Sequence, residues 1–263
     1  MPKLQMIETI TSQLRQDILN GSFKQYNILP TRRALADQFH TTPDTIAKVL
    51  KNLEVEGLVS KGKGRAMRAI SPRERVTAND ETFRDYMKAL GHQVTVEHLA
   101  TPGVIAATPS LAKIFRVPVG TQLIERARRE IVDGIVYRYS RKRYLASLVP
   151  EDVLEKIRGD YTFNVRAIIE DKAPLARIQE LLLARAVIDK EEANIFQSVL
   201  GIPVFEQWKI NYDQNKSVTF VSLVVFNAPY FVKTYDYEPG KEPKLSGFLP
   251  DDNEFIKTTS DFH

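Results

Sequence analysis

The most constraining feature of this 263-residue chain is a pair of short apolar repeats, joined by a tight turn, within residues 28–64. Thr31 precedes the first repeat, and a hydroxyl at that position can cap the first turn of a helix. Pro43 begins the second repeat, where the first position of a helix tolerates a missing amide hydrogen. The apolar residues of this second repeat recur at helical spacing, at Ile46, Val49, Leu50 and Leu53. The spacing therefore predicts two helices and a turn, the helix-turn-helix arrangement.

A basic hairpin is predicted immediately after the second helix. Gly57 suits the end of that helix, and strand-like residues at 58–60 and 66–70 flank a turn rich in lysine and glycine. Glycines let the backbone approach a ligand closely, and the turn also carries cations, which are Lys61, Lys63, Arg65 and Arg68. A turn with these cations and glycines is suited to binding the phosphate groups of DNA. Helix pairs alone are most often only core, so it is the basic hairpin that makes this segment a predicted DNA-binding head.

The charge distribution supports this prediction. Residues 1–76 hold 13 lysines and arginines against 7 aspartates and glutamates, which gives +6, whereas the formal net charge of the whole chain is +4. Concentrated basicity of this kind favours binding to nucleic acid. An amphipathic helix predicted over residues 6–19 is expected to pack behind the motif.

Composition limits the remaining possibilities. A chain of this length, with 43% hydrophobic and 27% charged residues, is typical of a globular protein with two domains. Cysteine is absent, which excludes disulfides and thiol catalysis and agrees with a reducing cytoplasm. No apolar run approaches the length of about 20 residues needed to cross a bilayer. We therefore expect a cytoplasmic protein without membrane contact.

Signatures of enzymes are missing from the sequence. It contains no glycine-rich phosphate loop, no Gly-x-Ser-x-Gly elbow and no metal-ligand spacing among its four histidines. We therefore expect no catalytic residues, no metal and no cofactor.

The part of the chain beyond residue 82 is predicted to form an antiparallel sheet with helices packed on it. Asp133-Gly134 is a two-residue hairpin signal, and residues 213–216 are expected to turn a second long hairpin. The predicted strands are 94–100, 121–132, 134–145, 179–186, 204–212 and 218–226. The predicted helices are 83–91, 110–115 and 164–170, and 191–200 is amphipathic. The expected division is a head at 1–70, a linker at 71–82, a second domain at 83–240 and a tail at 241–263.

The head resembles the GntR family of transcription regulators over residues 4–70. The motifs that carry the resemblance are LPTRRALA at 29–36, EVEGLV at 54–59 and a GKG wing at 62–64. By resemblance the DNA contacts are expected from the first helix of the motif, the start of the second helix and the wing. The expected residues are Arg32, Arg33, Thr42, Asp44, Thr45, Lys48, Lys63, Gly64 and Arg65. Pro43 and Ala47 stand where the family usually has arginines, so the base contacts made by those arginines are not expected here.

Residues 83–238 resemble the effector-sensing UTRA domain of the HutC subfamily, which shares the fold of chorismate lyase. The resemblance rests on two related sequence segments, IFRVPVGT at 114–121 and LGIPVF at 200–205. The expected fold class is therefore α+β, with an N-terminal winged helix-turn-helix domain and a C-terminal chorismate-lyase-like antiparallel sheet with helices. The resemblance implies a small-molecule effector in a cleft of the sheet.

The residues that are candidates for binding the effector lie on and near the predicted hairpins. Arg126 and Arg128 stand two apart on one strand, so they share a face and can offer paired N–H donors to an anion, whereas Arg129 points the other way. A solvated strand face is the alternative for these arginines. Weaker candidates, which could equally satisfy turns or backbone, are Ser140, Thr162, Thr219 and Ser222. Arg177, just after Pro174, is another candidate contact for an anion.

The predicted function is ligand-responsive regulation of transcription. A single winged helix covers only a few base pairs, so a homodimer on a near-palindromic double-stranded operator is expected. We expect a repressor that is released from its operator by a small metabolite, with an anionic or phosphorylated compound as the candidate class. A chorismate-lyase-like enzyme and a non-specific DNA-binding protein are the alternatives.

Overall fold

The computed structural model describes residues 3–23, 28–61, 67–70, 76–77, 83–89 and 91–232. The helices are α1 (Lys3–Leu19), α2 (Arg32–Gln38), α3 (Pro43–Val55), α4 (Phe83–Ala89), α5 (Pro109–Phe115), α6 (Glu151–Gly159), α7 (Val165–Lys172) and α8 (Lys190–Ile195). The strands are β1 (Val59–Lys61), β2 (Met67–Ala69), β3 (Val76–Thr77), β4 (Val94–Ala106), β5 (Gln122–Val132), β6 (Ile135–Leu145), β7 (Leu175–Ala186), β8 (Pro203–Asp213), β9 (Val218–Asn227) and β10 (Phe231–Val232).

The N-terminal part is a three-helix unit followed by a short antiparallel hairpin. The hydroxyl of Thr31 accepts a hydrogen bond from the Ala34 amide at the start of α2, and the hydroxyl of Thr42 accepts one from the Thr45 amide at the start of α3, both at 3.2 Å. Apolar residues of α1, α2 and α3 share one buried core with residues of β1 and β2. The hairpin pairs Val59–Lys61 with Met67–Ala69. The predicted helix-turn-helix and its hairpin are therefore present.

The C-terminal part is built on a six-stranded sheet. Its strand order is β4-β5-β6-β9-β8-β7, and every neighbouring pair is antiparallel. The β5–β6 hairpin turns through Asp133 and Gly134, which both have positive φ, as a two-residue turn of this kind requires. Helices cover both faces of the sheet. Together with the head, this arrangement confirms the predicted α+β fold class.

Successive side chains along each strand point to opposite faces of the sheet, so the two faces carry different residues. Side chains of one face, Trp208 and Leu223 among them, pack with α5 and α8 in the largest apolar core. On the other face, Tyr144 and Phe220 pack with α6 and α7. The same face packs with α4 around Phe226. The second face carries Arg126 and Arg128.

The structure extends some predicted elements and adds others. Helix α6 was not predicted, and β4 continues to Ala106 instead of ending at 100. Two register irregularities near Pro102 let β4 continue along β5, which an edge strand tolerates. Within the predicted linker 71–82, β3 pairs in parallel with β10, with Val76 opposite Phe231. The rest of the linker and the tail at 241–263 lie outside the described residues. No helix in the described ranges is both long enough and apolar enough to cross a membrane.

Candidate functional site

A cavity of about 310 Å³ lies between the sheet and the segment that joins α6 to α7. Strands β5, β6 and β9 form one wall, α4 contributes a single arginine, and the start of α7 forms the opposite wall. The lining residues are Arg84, Arg126, Arg128, Lys142, Tyr144, Thr162, Phe163, Asn164, Val165, Arg166, Ala167, Glu170 and Phe220. Five of these side chains are basic and one is acidic, so the cavity suits a negatively charged molecule.

Two buried arginines of β5 hold the segment between α6 and α7 against the sheet. Arg126 donates hydrogen bonds from Nη1 to the carbonyl of Phe163 (2.7 Å) and from Nη2 to the carbonyls of Asp160 (3.1 Å) and Tyr161. Arg128 donates from Nη1 to the same Tyr161 carbonyl at 2.7 Å. Both guanidiniums therefore donate hydrogen bonds to neutral carbonyl oxygens, which do not compensate their positive charge.

One carboxylate serves several arginines at this site. Glu130 accepts a hydrogen bond from Nε of Arg138 at 2.8 Å, whereas Nε of Arg84 and Nη2 of Arg128 are each 4.0 Å from it. Burial raises the pKa of Glu130, but the charge of Arg138, its hydrogen bond and the charges of Arg128 and Arg84 outweigh that effect and lower the pKa overall. Glu130 is consequently ionised at neutral pH, and one negative charge faces three positive ones.

Positive charge therefore remains uncompensated in the cavity. Burial, and next the charge of Arg128, lower the pKa of Arg126 to about 10, and the same two causes lower the pKa of Arg84. Nη1 of Arg84 and Nε of Arg126 are buried without a hydrogen-bond partner. An anion in the cavity would supply both the missing acceptor and the missing charge.

The first turn of α7 adds backbone donors to the same cavity. Its capping residue Asn164 makes no side-chain hydrogen bond to the helix, and Val165, Arg166 and Ala167 line the cavity. The first amides of a helix have no partner within the helix, and the helix dipole places partial positive charge there. The arginines of β5 and the start of α7 thus surround one anion site.

The structure separates the seven effector-site candidates into two groups. Arg126, Arg128 and Thr162 line the cavity, and the other four do not. Arg177 lies on β7 with its guanidinium 5.0 Å from the centre of the Tyr212 ring, and the Thr219 hydroxyl donates to the Asn211 carbonyl. Ser140 and Ser222 are buried in the sheet and do not line the cavity, although each is paired in register with a residue that does, Ser140 with Arg128 and Ser222 with Lys142.

Four basic residues at or near the cavity were not among the predicted candidates. Arg84, Lys142 and Arg166 line it, and they come from α4, β6 and α7. His98, on β4 opposite Arg128, packs edge-on against Tyr161 with its Nε2 buried and unpartnered. Burial and the neighbouring charges of Arg126 and Arg128 lower its pKa, which favours the neutral imidazole. Within the described ranges no group of three or more histidine, cysteine or acidic residues is placed to hold a metal ion.

Most of the expected DNA contacts that the structure describes are exposed residues of α2 and of the first half of α3. Arg32 and Arg33 are exposed at the start of α2, and the exposed residues at the start of α3 are Thr42, Asp44 and Lys48. Thr45 is buried, and its hydroxyl lies 3.0 Å from that of Thr42, so it takes part in the cap of α3. Lys63, Gly64 and Arg65 of the predicted wing lie outside the described residues.

Replacing Glu130 with glutamine should destabilise the protein in a pH-dependent way. The folded state lowers the pKa of Glu130, so its stabilising contribution is fully present above the unfolded-state pKa of about 4.3 and is lost as the pH falls through the lower folded-state value. We expect E130Q to cost about 2 kcal/mol near pH 7, the scale of a hydrogen bond to a charged group. Urea unfolding from pH 7 to pH 3 should show this gap closing, and a gap that is constant over the whole range would contradict the assignment.

Two family models match the chain. The model described as bacterial regulatory proteins of the gntR family matches residues 6–68, and the UTRA domain model matches residues 89–231. The first covers the three helices and hairpin of the head. The second covers the six-stranded sheet, α5 to α8 and the residues that line the cavity, except Arg84 on α4.

Similar proteins have the same two parts. The chain is 23% identical to the probable fructoselysine utilization operon transcriptional repressor of Escherichia coli K12, over 87% of this chain and 93% of that protein. It is 27% identical to the HTH-type transcriptional repressor NagR of Bacillus subtilis, over 78% and 84%. The crystal structure of PhnF from Mycobacterium smegmatis has the same fold, with a TM-score of 0.54 at 18% identity over 87% of this chain and 99% of that one. The chain belongs to the UTRA-domain family and carries a GntR-type head, so it is a ligand-responsive, DNA-binding transcription regulator of the HutC type.

Proposed function

We propose that this protein is a transcriptional repressor that leaves its operator when a small anionic metabolite occupies the cavity. The observation that carries the proposal is the convergence of Arg84, Arg126 and Arg128 at the cavity. Glu130 lies 4.0 Å from Arg84 and from Arg128, but it is hydrogen-bonded to Arg138 and so cannot compensate all of these charges. Repression is supported by the two relatives, which are both named transcriptional repressors. Release by a ligand is supported by the joining of an effector domain to a DNA-binding head.

The size and lining of the cavity indicate the class of effector. A volume of about 310 Å³ is at the small end of the range for metabolite sites. Guanidinium groups and the amides of a helix N-terminus are the usual partners of phosphate and carboxylate. Phe163 and Phe220 add apolar walls, and the Thr162 hydroxyl and the Asn164 amide can bind polar substituents. We propose a phosphate ester or a carboxylate with a small polar body.

The remaining parts of the proposal concern assembly and location. We propose a homodimer, because two heads related by a two-fold axis are needed to cover a near-palindromic operator. We propose residues 1–70 as the DNA-binding domain, 71–82 as the linker and 83–240 as the effector domain, with a tail at 241–263. We also propose a cytoplasmic, non-catalytic role. Glu170, the carboxylate among the described lining residues, is ion-paired with Arg166 at 2.6 Å, which supports binding rather than acid–base chemistry.

The proposed function is tested by the response of operator binding to small anions. DNA from upstream of the protein's own gene is the first operator to try, with a mobility-shift assay at fixed ionic strength. Inorganic phosphate, sugar phosphates and dicarboxylates should be compared with an uncharged sugar. We expect at least one anion to release the DNA and the uncharged sugar to have no effect. Binding of any duplex with equal affinity, unaffected by every anion, would contradict the proposal.

Replacing Arg33 with alanine should weaken operator binding and flatten its salt dependence. Arg33 is exposed at the start of α2, where a guanidinium can bind DNA phosphate. Each lost phosphate contact should reduce the slope of log K against log salt by about 1. Lys190, exposed on α8 in the other domain, offers a matched control, and K190A should keep the parent slope. If R33A and K190A both bind the operator with the affinity of the parent throughout a titration from 50 to 300 mM salt, Arg33 is not part of the DNA interface.

A further inference from the structure

We propose that α4 and the aromatic cluster beside it transmit effector binding to the DNA-binding head, and that a hydrogen bond between Tyr230 and Ser60 is the last link. This inference rests on the proposed function, because it names the route by which the same cavity acts on the same head. The route is a continuous set of contacts between described residues.

The route begins with two adjacent residues of α4. Arg84 lines the cavity, and Phe83 is buried in a neighbouring apolar cluster. The ring centre of Phe83 lies 5.4 Å from that of Phe231 and 5.9 Å from that of Tyr137. An anion that draws Arg84 into the cavity therefore pulls on the helix that carries Phe83.

Arg138 joins the charged and aromatic parts of the route. Its guanidinium lies 4.7 Å from the centre of the Phe83 ring, and its Nε donates to Glu130 at 2.8 Å. Glu130 is also the carboxylate that faces Arg84 and Arg128 at 4.0 Å. When an anion takes over the charge of Arg84, the balance of charge around Glu130 and Arg138 changes, and Arg138 is in direct contact with Phe83.

The aromatic cluster extends to the head. Tyr137 stacks on Tyr230 with ring centres 4.3 Å apart, and the Tyr230 hydroxyl is hydrogen-bonded to the hydroxyl of Ser60 on β1. Both residues of this hydrogen bond are buried. Ile70, which follows β2 of the head hairpin, belongs to the same apolar cluster as Phe83 and Tyr230. The cluster therefore has members in both domains.

Three further contacts hold the head at this place. The Ser198 hydroxyl donates to Oε1 of Glu54 at the end of α3, at 2.5 Å. Gly57 has φ of +71°, and a Cβ added there would lie 2.5 Å from Cγ of Pro229, so the Gly57 backbone packs directly against the Pro229 ring. Strand β3 pairs with β10 directly after Tyr230. We call these contacts and the Tyr230–Ser60 hydrogen bond the docking contact.

The docking contact leaves the expected DNA-binding residues uncovered. It involves the C-terminal end of α3 and β1, whereas Thr42, Asp44 and Lys48 are exposed at the other end of α3. Docking therefore sets the orientation of a head without covering its DNA-binding surface. In a dimer, the orientation of the two heads determines their spacing on an operator. Operator and effector then act on one equilibrium between docked and released heads, and their effects on it are reciprocal.

The test removes the hydroxyl of Tyr230 and nothing else. Y230F should shift the docking equilibrium by about fivefold, which is the effect of one net hydrogen bond of about 1 kcal/mol. Inorganic phosphate is the probe of the cavity, measured by calorimetry, and the upstream DNA is the probe of the head, measured by fluorescence anisotropy, both on the full-length protein. We expect the affinities for phosphate and DNA to move in opposite directions, each by up to about fivefold. S60A should reproduce both shifts, and the double variant should add nothing further.

The control is Y86F, which removes a hydroxyl from the exposed side of α4, and it should leave both affinities unchanged. Parent-like values for Y230F, or shifts of both affinities in the same direction, would overturn the proposed route while leaving the proposed function intact. A parent protein whose affinity for phosphate is the same with and without DNA would overturn this inference, whereas the proposed function fails only if every anion tested leaves the DNA bound.

Discussion

Replacing Arg128 with alanine is expected to give a protein that binds its operator normally but no longer responds to its effector. The charged Arg128 guanidinium is buried at the cavity. In R128A, a bound anion would lose this desolvated partner, and the loss should weaken its binding free energy by about 2–5 kcal/mol. A loss near 3 kcal/mol corresponds to an effector affinity about 100-fold weaker. An anion at about 100 times its dissociation constant should stabilise the parent by roughly 2.7 kcal/mol, but should stabilise R128A at the same concentration by only about 0.4 kcal/mol. Thermal melting and operator release should be measured together on both proteins.

Arg129 offers a matched control on the same strand. Its side chain points to the opposite face, where Nη2 pairs with Oε2 of Glu97 at 2.8 Å and Nη1 donates to the Ile195 carbonyl. R129A should therefore keep both the thermal response and operator release. An R128A protein that melts and responds like the parent, with an anion that is effective on the parent, would mean that the effector is bound elsewhere.

The pair of arginines on β5 could be predicted from sequence because it depends only on strand periodicity. Residues two apart on a strand share a face, and both Arg126 and Arg128 line the cavity. Arg84 and Arg166 could not be found in this way, because they come from separate helices and meet the pair only in the folded chain. Lys142 lies opposite Arg126 in the strand register, which is fixed by the position of the turn at Asp133 and Gly134.

The weaker candidates show the limit of choosing polar residues by type. Thr219 and Ser222 are both 2% exposed, and Ser140 is 5% exposed, so each is enclosed in the sheet. A hydroxyl on a buried strand is often satisfied locally, as Thr219 is by the Asn211 carbonyl. Sequence alone gives the polarity of these side chains but not the side of the core that they face.

Local signals explain which elements of the fold were predicted. The caps at Thr31 and Thr42 and the turn at Asp133 and Gly134 have short-range chemistry that the sequence displays directly. The continuation of β4 depends instead on pairing with β5, which overrides the turn-like sequence around Pro102 and Gly103. Helix α6 is short, and its buried residues Val153 and Ile157 are stabilised by tertiary packing more than by local propensity.

The largest loss of stability is expected from replacing Arg185 with methionine. Arg185 donates from both Nη atoms to Glu192 at 2.7 Å and from Nε to Glu206 at 2.5 Å. Both carboxylates are 1% exposed, so a single guanidinium compensates two buried negative charges. Removing one partner of a buried ion pair typically costs about 3–5 kcal/mol, because the remaining charge is left uncompensated. R185M leaves two such charges, and we expect a cost at or above the top of that range in urea unfolding at pH 7.

Replacing Glu192 with glutamine separates the effect of charge from that of lost hydrogen bonds. Tyr139 donates to Glu192 at 2.6 Å and Trp208 donates to Glu206 at 2.6 Å, so either carboxylate keeps a neutral donor when the other is changed. E192Q leaves Arg185 and Glu206 as a balanced pair, and its glutamine oxygen can still accept from Tyr139. We therefore expect E192Q to cost about 1–3 kcal/mol, the scale of a charged hydrogen bond, and clearly less than R185M. Equal losses for the two variants would mean that packing and hydrogen bonds, rather than two uncompensated carboxylates, determine the contribution of this network to stability.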